Sequence, residues 1–334
     1  MSLGRPPAEW LSRNTGRNFV FIHGLAMSPT FWRLYAPGCV RERNAVAYPL
    51  PGHHPWPLAS AGAQLTTDQI VEAYAKAIEE DFPFGRVTLV GHSTGGFVSL
   101  LLAAARPDLI QSVVLMGSFA CGRFEGRERV AARILRIPGL GPRFFAACFR
   151  RWISSQQHFR HGSIECVYDK TCPWETEEAR AMMEEVRIQL QRSRPEDIAS
   201  VVAWFQRTSA LPVLPELQVP ALNIIGANDS IVPPSHQIRI SRMLPNAQTV
   251  LFGNSGHLLM VERQSEFNKV LERFIEAPIL VRSPLSARGR VLAHAQPQKA
   301  SINPVESRRR WSVLANVSRR IPHLVLGTNQ PHQH

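Results

Sequence analysis

Arg86-Val87-Thr88-Leu89-Val90-Gly91-His92-Ser93-Thr94-Gly95-Gly96 passes from an apolar run, through a glycine-flanked serine, into a helix-compatible segment. The run over 86–90 predicts a buried strand and the segment over about 95–105 a helix, so Ser93 stands at the joint between them. Gly-x-Ser-x-Gly in that setting is a sharp strand-to-helix turn. Small residues on either side let the chain fold back, and the serine hydroxyl is presented where substrate can reach it. The same turn points the backbone N–H of Thr94, at a helix N-terminus, toward an oxyanion forming on an attacked carbonyl.

Working outward, Asn18-Phe19-Val20-Phe21-Ile22, Ala45-Val46-Ala47-Tyr48 and Val113-Val114-Leu115-Met116 read as further buried strands. Between the second and third lies a helix capped by Thr66 or Thr67, with Ile70, Val71, Tyr74, Ala77 and Ile78 on one face. Strands alternating with helices predict an α/β fold with a doubly wound, mostly parallel sheet. Over 119–212 no strand-like run occurs, and amphipathic helix broken at Pro138, Pro142, Pro173 and Pro195 predicts an inserted helical cap. Alternation resumes with strands at 221–226 and 248–252 and helices near 235–243 and 258–275. Residues 1–118 and 213–276 therefore form the expected core, and 277–334 is a Pro-containing tail expected to be poorly ordered.

The 334 residues carry a net charge of +12, with 44% hydrophobic and 19% charged residues, as in a soluble globular protein. Much of the excess charge is in the tail, where nine Lys/Arg stand against the single acid Glu306. A tail of this kind can touch nucleic acid or an anionic surface, but it lacks interleaved aromatics and any reading module, so no nucleic-acid partner is expected. Met1 to Val20 has no run of the length a signal peptide needs, and no window approaches a membrane span. The expectation is a cytoplasmic protein whose five cysteines are reduced.

A serine hydroxyl needs a base, and the base an orienting carboxylate. Asp229, in Gly226-Ala227-Asn228-Asp229-Ser230-Ile231-Val232-Pro233, follows a buried strand, and His257, in Asn254-Ser255-Gly256-His257, follows the next. Both loops leave the carboxyl edge of the sheet, where open α/β folds build their sites and where Ser93 also lies.

The chain order Ser93, Asp229, His257 and the motifs around it resemble the α/β-hydrolase family with a helical cap, over roughly residues 18–276. His23-Gly24 after the first strand and Tyr48-Pro49-Leu50-Pro51-Gly52-His53 match the family's pattern. The resemblance implies a second oxyanion donor, the backbone N–H of Leu25, beside that of Thr94. It implies a serine esterase, carboxylesterase or lipase-like, working without cofactor or metal on a small-molecule ester. The same family includes C–C bond hydrolases, lactonases and cofactor-free perhydrolases, and a non-catalytic binding module is the remaining alternative.

Met27, Phe31 and Trp32, just after the oxyanion turn, and His92 within the elbow are candidate substrate-binding residues. His23, His53 and His54 read as loop-stabilising or pocket-lining, since one histidine suffices as base. His158, His161, Cys166 and Cys172 match no zinc spacing. In the cap, arginines from Arg127 to Arg151 alternate with apolar residues from Val130 to Ile153. Such a stretch can cover an active site with its apolar face, or associate weakly with an anionic membrane surface. Either way its inner face is apolar, and an apolar acyl or alcohol group is expected.

Overall fold

Eight strands form one sheet in the order β1-β3-β2-β4-β5-β6-β7-β8 in the computed structural model, which describes residues 3–123, 128–276 and 324–327. They are β1 Glu9–Ser12, β2 Asn18–Ile22, β3 Asn44–Tyr48, β4 Val87–His92, β5 Ile110–Met116, β6 Ala221–Gly226, β7 Ala247–Phe252 and β8 Leu324–Gly327. All pairings are parallel except that of β1 with β3. In the central pairs, Ile22 stands beside Gly91 and His92 beside Met116, so the ends of β2, β4 and β5 meet at one edge.

Strand runs that are apolar at consecutive positions bury both faces. On β2, Val20 and Ile22 join one core cluster while Phe19 and Phe21 join the other. Each such side chain, taken fully out of water, contributes roughly 1.5–3 kcal/mol. Helices α1 Thr67–Asp81 and α2 Thr94–Ala105 flank the sheet. The first opens with a reciprocal cap, in which the Thr66 hydroxyl accepts from the Gln69 amide and the Gln69 side chain accepts from the Thr66 amide.

Between β5 and β6 the chain is helical, with α3 Glu128–Leu135, α4 Gly141–Trp152, α5 Gln156–Ser163, α6 Glu177–Gln191 and α7 Pro195–Arg207. Pro142 and Pro195 open helices rather than interrupt them, as expected of a residue with no N–H to leave unpaired. The insertion leaves and re-enters the core at adjacent points: the Ala210 amide donates to the Ala120 carbonyl at 2.7 Å. Helix α8 Pro234–Met243 follows β6, and α9 Gln264–Glu276 ends the core.

Two strands and one helix break differ from the sequence expectation. The edge strand β1, Glu-Trp-Leu-Ser, is only half-buried and has no apolar run to mark it. The last helix, expected over 258–275, is divided because Arg263 leaves helical geometry between a turn at Leu259–Glu262 and α9. Within 277–334, where no strand was expected, Leu324–Gly327 pairs with β7; the expectation of a poorly ordered tail otherwise falls outside the described residues. Among the described residues no helix is long and apolar enough to cross a membrane.

Candidate active site

Ser93 is the hinge between β4 and α2. Its backbone lies at φ 52° and ψ −116°, a conformation that costs an L-residue on the order of 1–3 kcal/mol and persists only when the surroundings fix it. They do so here: the Ser93 amide donates to Met116 O at 2.8 Å, and its carbonyl accepts from Phe97 N at 3.1 Å. A Cβ on Gly95 would stand 2.1 Å from the Ile22 carbonyl oxygen, so nothing larger than glycine lets α2 start this close to β2.

Asp229 and His257 emerge beside it. The Nδ1–H of His257 donates to Asp229 Oδ2 at 2.8 Å, which leaves Nε2 as the unprotonated nitrogen of the ring. Asp229 is itself held, with Oδ1 accepting from the amides of Ile231 and Val232, both at 2.9 Å, and Oδ2 from the Gln237 side chain, also at 2.9 Å. Gly117, at φ 56°, makes room for the pair: a Cβ there would be 2.9 Å from His257 Nδ1.

The turn after β2 is braced by two neutral histidines. His23 accepts from the Leu50 amide at Nε2 and donates from Nδ1 to Gly24 O. His53 accepts from the Ala26 amide at Nε2, 3.0 Å away, and donates from Nδ1 to Pro51 O. Burial keeps both uncharged, pushing His23 well below its ordinary value and His53 down to about 4. The Ala26 amide is thereby used. Those of Leu25 and Thr94 have no hydrogen-bond partner among the described residues. Gly24 packs directly on the elbow, since a Cβ on it would meet Ser93 Cβ at 3.1 Å and His92 Nδ1 at 2.7 Å.

His92 donates from Nε2 to the backbone carbonyl of His257 at 3.0 Å, so it braces the loop carrying that residue. Burial, and then the neighbouring His257, hold it well below its ordinary pKa. A cavity of about 360 Å³ opens above these groups. Ser93, His92 and His257 line it together with Ser163, with Leu25, Met27 and Phe31 beside them and cap residues such as Ile134, Phe145 and Phe149 as further walls. Trp32 does not reach the cavity. It is fully buried behind Phe31, whose ring centroid is 5.3 Å away, and against Phe21 at 5.0 Å.

Two residues that no motif marks hold the site together. Gln237 fixes Asp229, as described. Glu262 Oε2 accepts from the Gly256 amide at 2.7 Å, next to His257, while Oε1 accepts from the amides of Tyr168 and Asp169 in the cap at 2.7 and 2.9 Å. Burial raises the Glu262 pKa above the usual carboxylate value, although those three donors oppose the rise. The cap reaches the histidine loop a second time, the Cys166 carbonyl accepting from the amides of His257 and Leu258. His158, whose Nδ1 meets Ser154 and Ser155, and Cys172, beside Val261 O, are turned to other partners. Among the described residues no three His, Cys, Asp or Glu side chains gather as metal ligands.

A model of the alpha/beta hydrolase fold family matches residues 17–264, and the chain belongs to that family. The pimeloyl-[acyl-carrier protein] methyl ester esterase of Aeromonas hydrophila is 23% identical over 266 residues, covering 78% of this chain and 96% of that protein. The dihydrolipoyllysine-residue acetyltransferase component of the acetoin cleaving system of Pseudomonas putida is 26% identical over 269 residues, 78% of this chain. The chain spans only 64% of that protein's length. Among solved structures, an esterase from Rhodococcus sp. ECU1013 superposes with a TM-score of 0.65 at 20% identity, covering 83% of this chain and 99% of that one. The meta-cleavage product hydrolase of Pseudomonas fluorescens IP01 does so at 0.61 and 21%, covering 80% and 93%. An esterase, a meta-cleavage product hydrolase and an enol-lactonase of Burkholderia xenovorans thus share this fold.

Proposed function

We propose that the protein is a serine hydrolase that cleaves carboxylic esters with an apolar acyl or alcohol group through an acyl-enzyme. One observation carries this reading: the strained Ser93 and the Asp229-oriented His257 line the same apolar cavity. Ser93 Oγ attacks the ester carbonyl as His257 Nε2 takes its proton. Asp229 holds the imidazole in the required tautomer and stabilises the imidazolium. The amides of Leu25 and Thr94 receive the oxyanion, an interaction worth roughly 2.7–4 kcal/mol per donor in comparable sites. Collapse of the tetrahedral intermediate expels the alcohol, which takes the proton from His257. Water, deprotonated by the same nitrogen, then releases the acid.

The cap lining supports an apolar substrate group, and Met27, Phe31 and His92 are proposed as wall residues for it. Trp32, fully buried, packs behind Phe31 and does not belong to that wall. Replacing Ser93 by Ala is expected to abolish turnover of a p-nitrophenyl ester while leaving the far-ultraviolet circular dichroism unchanged. Undiminished turnover in that variant would overturn the proposal.

A further inference from the structure

The cap has two apolar faces, and only one of them is used by the cavity. Ala131, Ile134, Phe145 and Phe149 face inward on α3 and α4. Around the turn joining those helices, Ile137, Leu140 and Phe144 are 43%, 62% and 52% exposed. Ile137 and Leu140 lie within the turn, and Phe144 stands one helical turn beyond Leu140, its amide bonded to Leu140 O, so the three exposed apolar side chains cluster within eight residues of chain. Val130, 54% exposed, lines the cavity from the first turn of α3, at the other end of that helix from the tip.

Charge identifies what covers it. Between Glu128 and Glu165 the chain has seven arginines and no aspartate or glutamate. Arg133, Arg136 and Arg143 are exposed around the apolar tip. Farther along α4, Arg150 pairs with Glu196 at 3.2 Å, leaving the tip itself without a balancing acid among the described residues. Residues 277–334 carry the same sign of charge, as does a second copy presenting the same face, so neither offers it charge complementarity. Apolar side chains ringed by arginine fit an anionic lipid surface, where the rings and methyls enter the acyl boundary and the guanidinium groups meet phosphates.

We propose that the α3–α4 tip docks the protein on anionic bilayers, with Ile137, Leu140 and Phe144 inserted and Arg133, Arg136 and Arg143 at headgroup level. This docking does not depend on the catalytic reading. It is tested with the full chain by sedimentation with vesicles of phosphatidylcholine alone and of equal parts phosphatidylcholine and phosphatidylglycerol. The expected result is binding to the mixed vesicles only, lost in salt of about 0.5 M. The variants Leu140→Asp/Phe144→Asp and Arg136→Gln/Arg143→Gln should each bind about tenfold or more weakly, with circular dichroism and turnover of a soluble ester unchanged. Binding by both variants equal to that of the unaltered chain would overturn the proposal and assign the attraction to the basic tail. No binding to mixed vesicles, or equal binding to uncharged ones, would also overturn it. So would self-association in lipid-free buffer that the aspartate variant abolishes.

Discussion

His257 Nδ1 and Asp229 Oδ2 stand 2.8 Å apart in a setting where the carboxylate already accepts three other hydrogen bonds. An oxygen so placed reads one tautomer of imidazole and rejects the other. Asp229→Asn offers an N–H where the acceptor was, and the ring turns its basic nitrogen away from the cavity. Turnover of a p-nitrophenyl ester should fall by about ten-thousand-fold with little change in thermal midpoint. A loss of less than tenfold would remove Asp229 from the scheme.

Gly117 tests the same pair from its other side. At φ 56°, with a Cβ that would stand 2.9 Å from His257 Nδ1, alanine must displace the imidazole or its own backbone. Displacement on the order of 1 Å costs about a hundredfold in rate. Steady-state kinetics of Gly117→Ala should show kcat down by that factor with KM nearly unchanged; a KM effect alone would mean that the ring holds its place.

The buried neutral histidines predict an acid-labile fold. For His53 the folded pKa, about 4, lies below the ordinary 6.5, so between these values the unfolded chain binds the extra proton. Stability is fully present above pH 6.5 and is lost as pH falls toward 4, by about 3 kcal/mol from His53 alone. His23 and His92 shift the same way. Urea midpoints measured across this range should fall with pH, and less steeply in His53→Gln. A flat profile would contradict the buried, uncharged assignment.

On the proposed function, cavity shape sets substrate length. With about 360 Å³ of mostly apolar space, kcat/KM over p-nitrophenyl esters should rise with acyl length and then drop once the chain outgrows the cap. Met27→Trp narrows the wall beside the oxyanion turn and should move that drop to shorter chains while sparing the acetate. An unchanged profile would place the acyl group elsewhere.

Much of this architecture was legible in the sequence because buried parallel strands such as Phe19–Ile22 and Val87–Val90 write themselves as near-continuous apolar runs. The elbow was legible because its steric demand falls on two residues of one short stretch, Gly91 and Gly95, as the close approaches to Gly96 and Ile22 show. What stayed hidden depends on distant partners. Glu262 looks like any surface glutamate of an amphipathic turn, yet its acceptors serve amides 93 and 94 positions away. Gln237 is one polar residue of a helix until that helix docks on the Asp229 loop. Trp32 and Phe31 are equivalent in sequence, and only the packing of Trp32 on Phe21 decides which of them reaches the cavity. Strand β1 lacked a signal because an edge strand buries too little to need an apolar run.

The central claim is that Ser93 becomes acylated, and mass spectrometry tests it directly. Enzyme quenched in acid during turnover of a p-nitrophenyl ester should carry the mass of one acyl group, located at Ser93 after digestion, and the Ser93→Ala variant should carry none. An adduct on another residue, or steady turnover with no adduct in a quench faster than the catalytic cycle, would contradict the account.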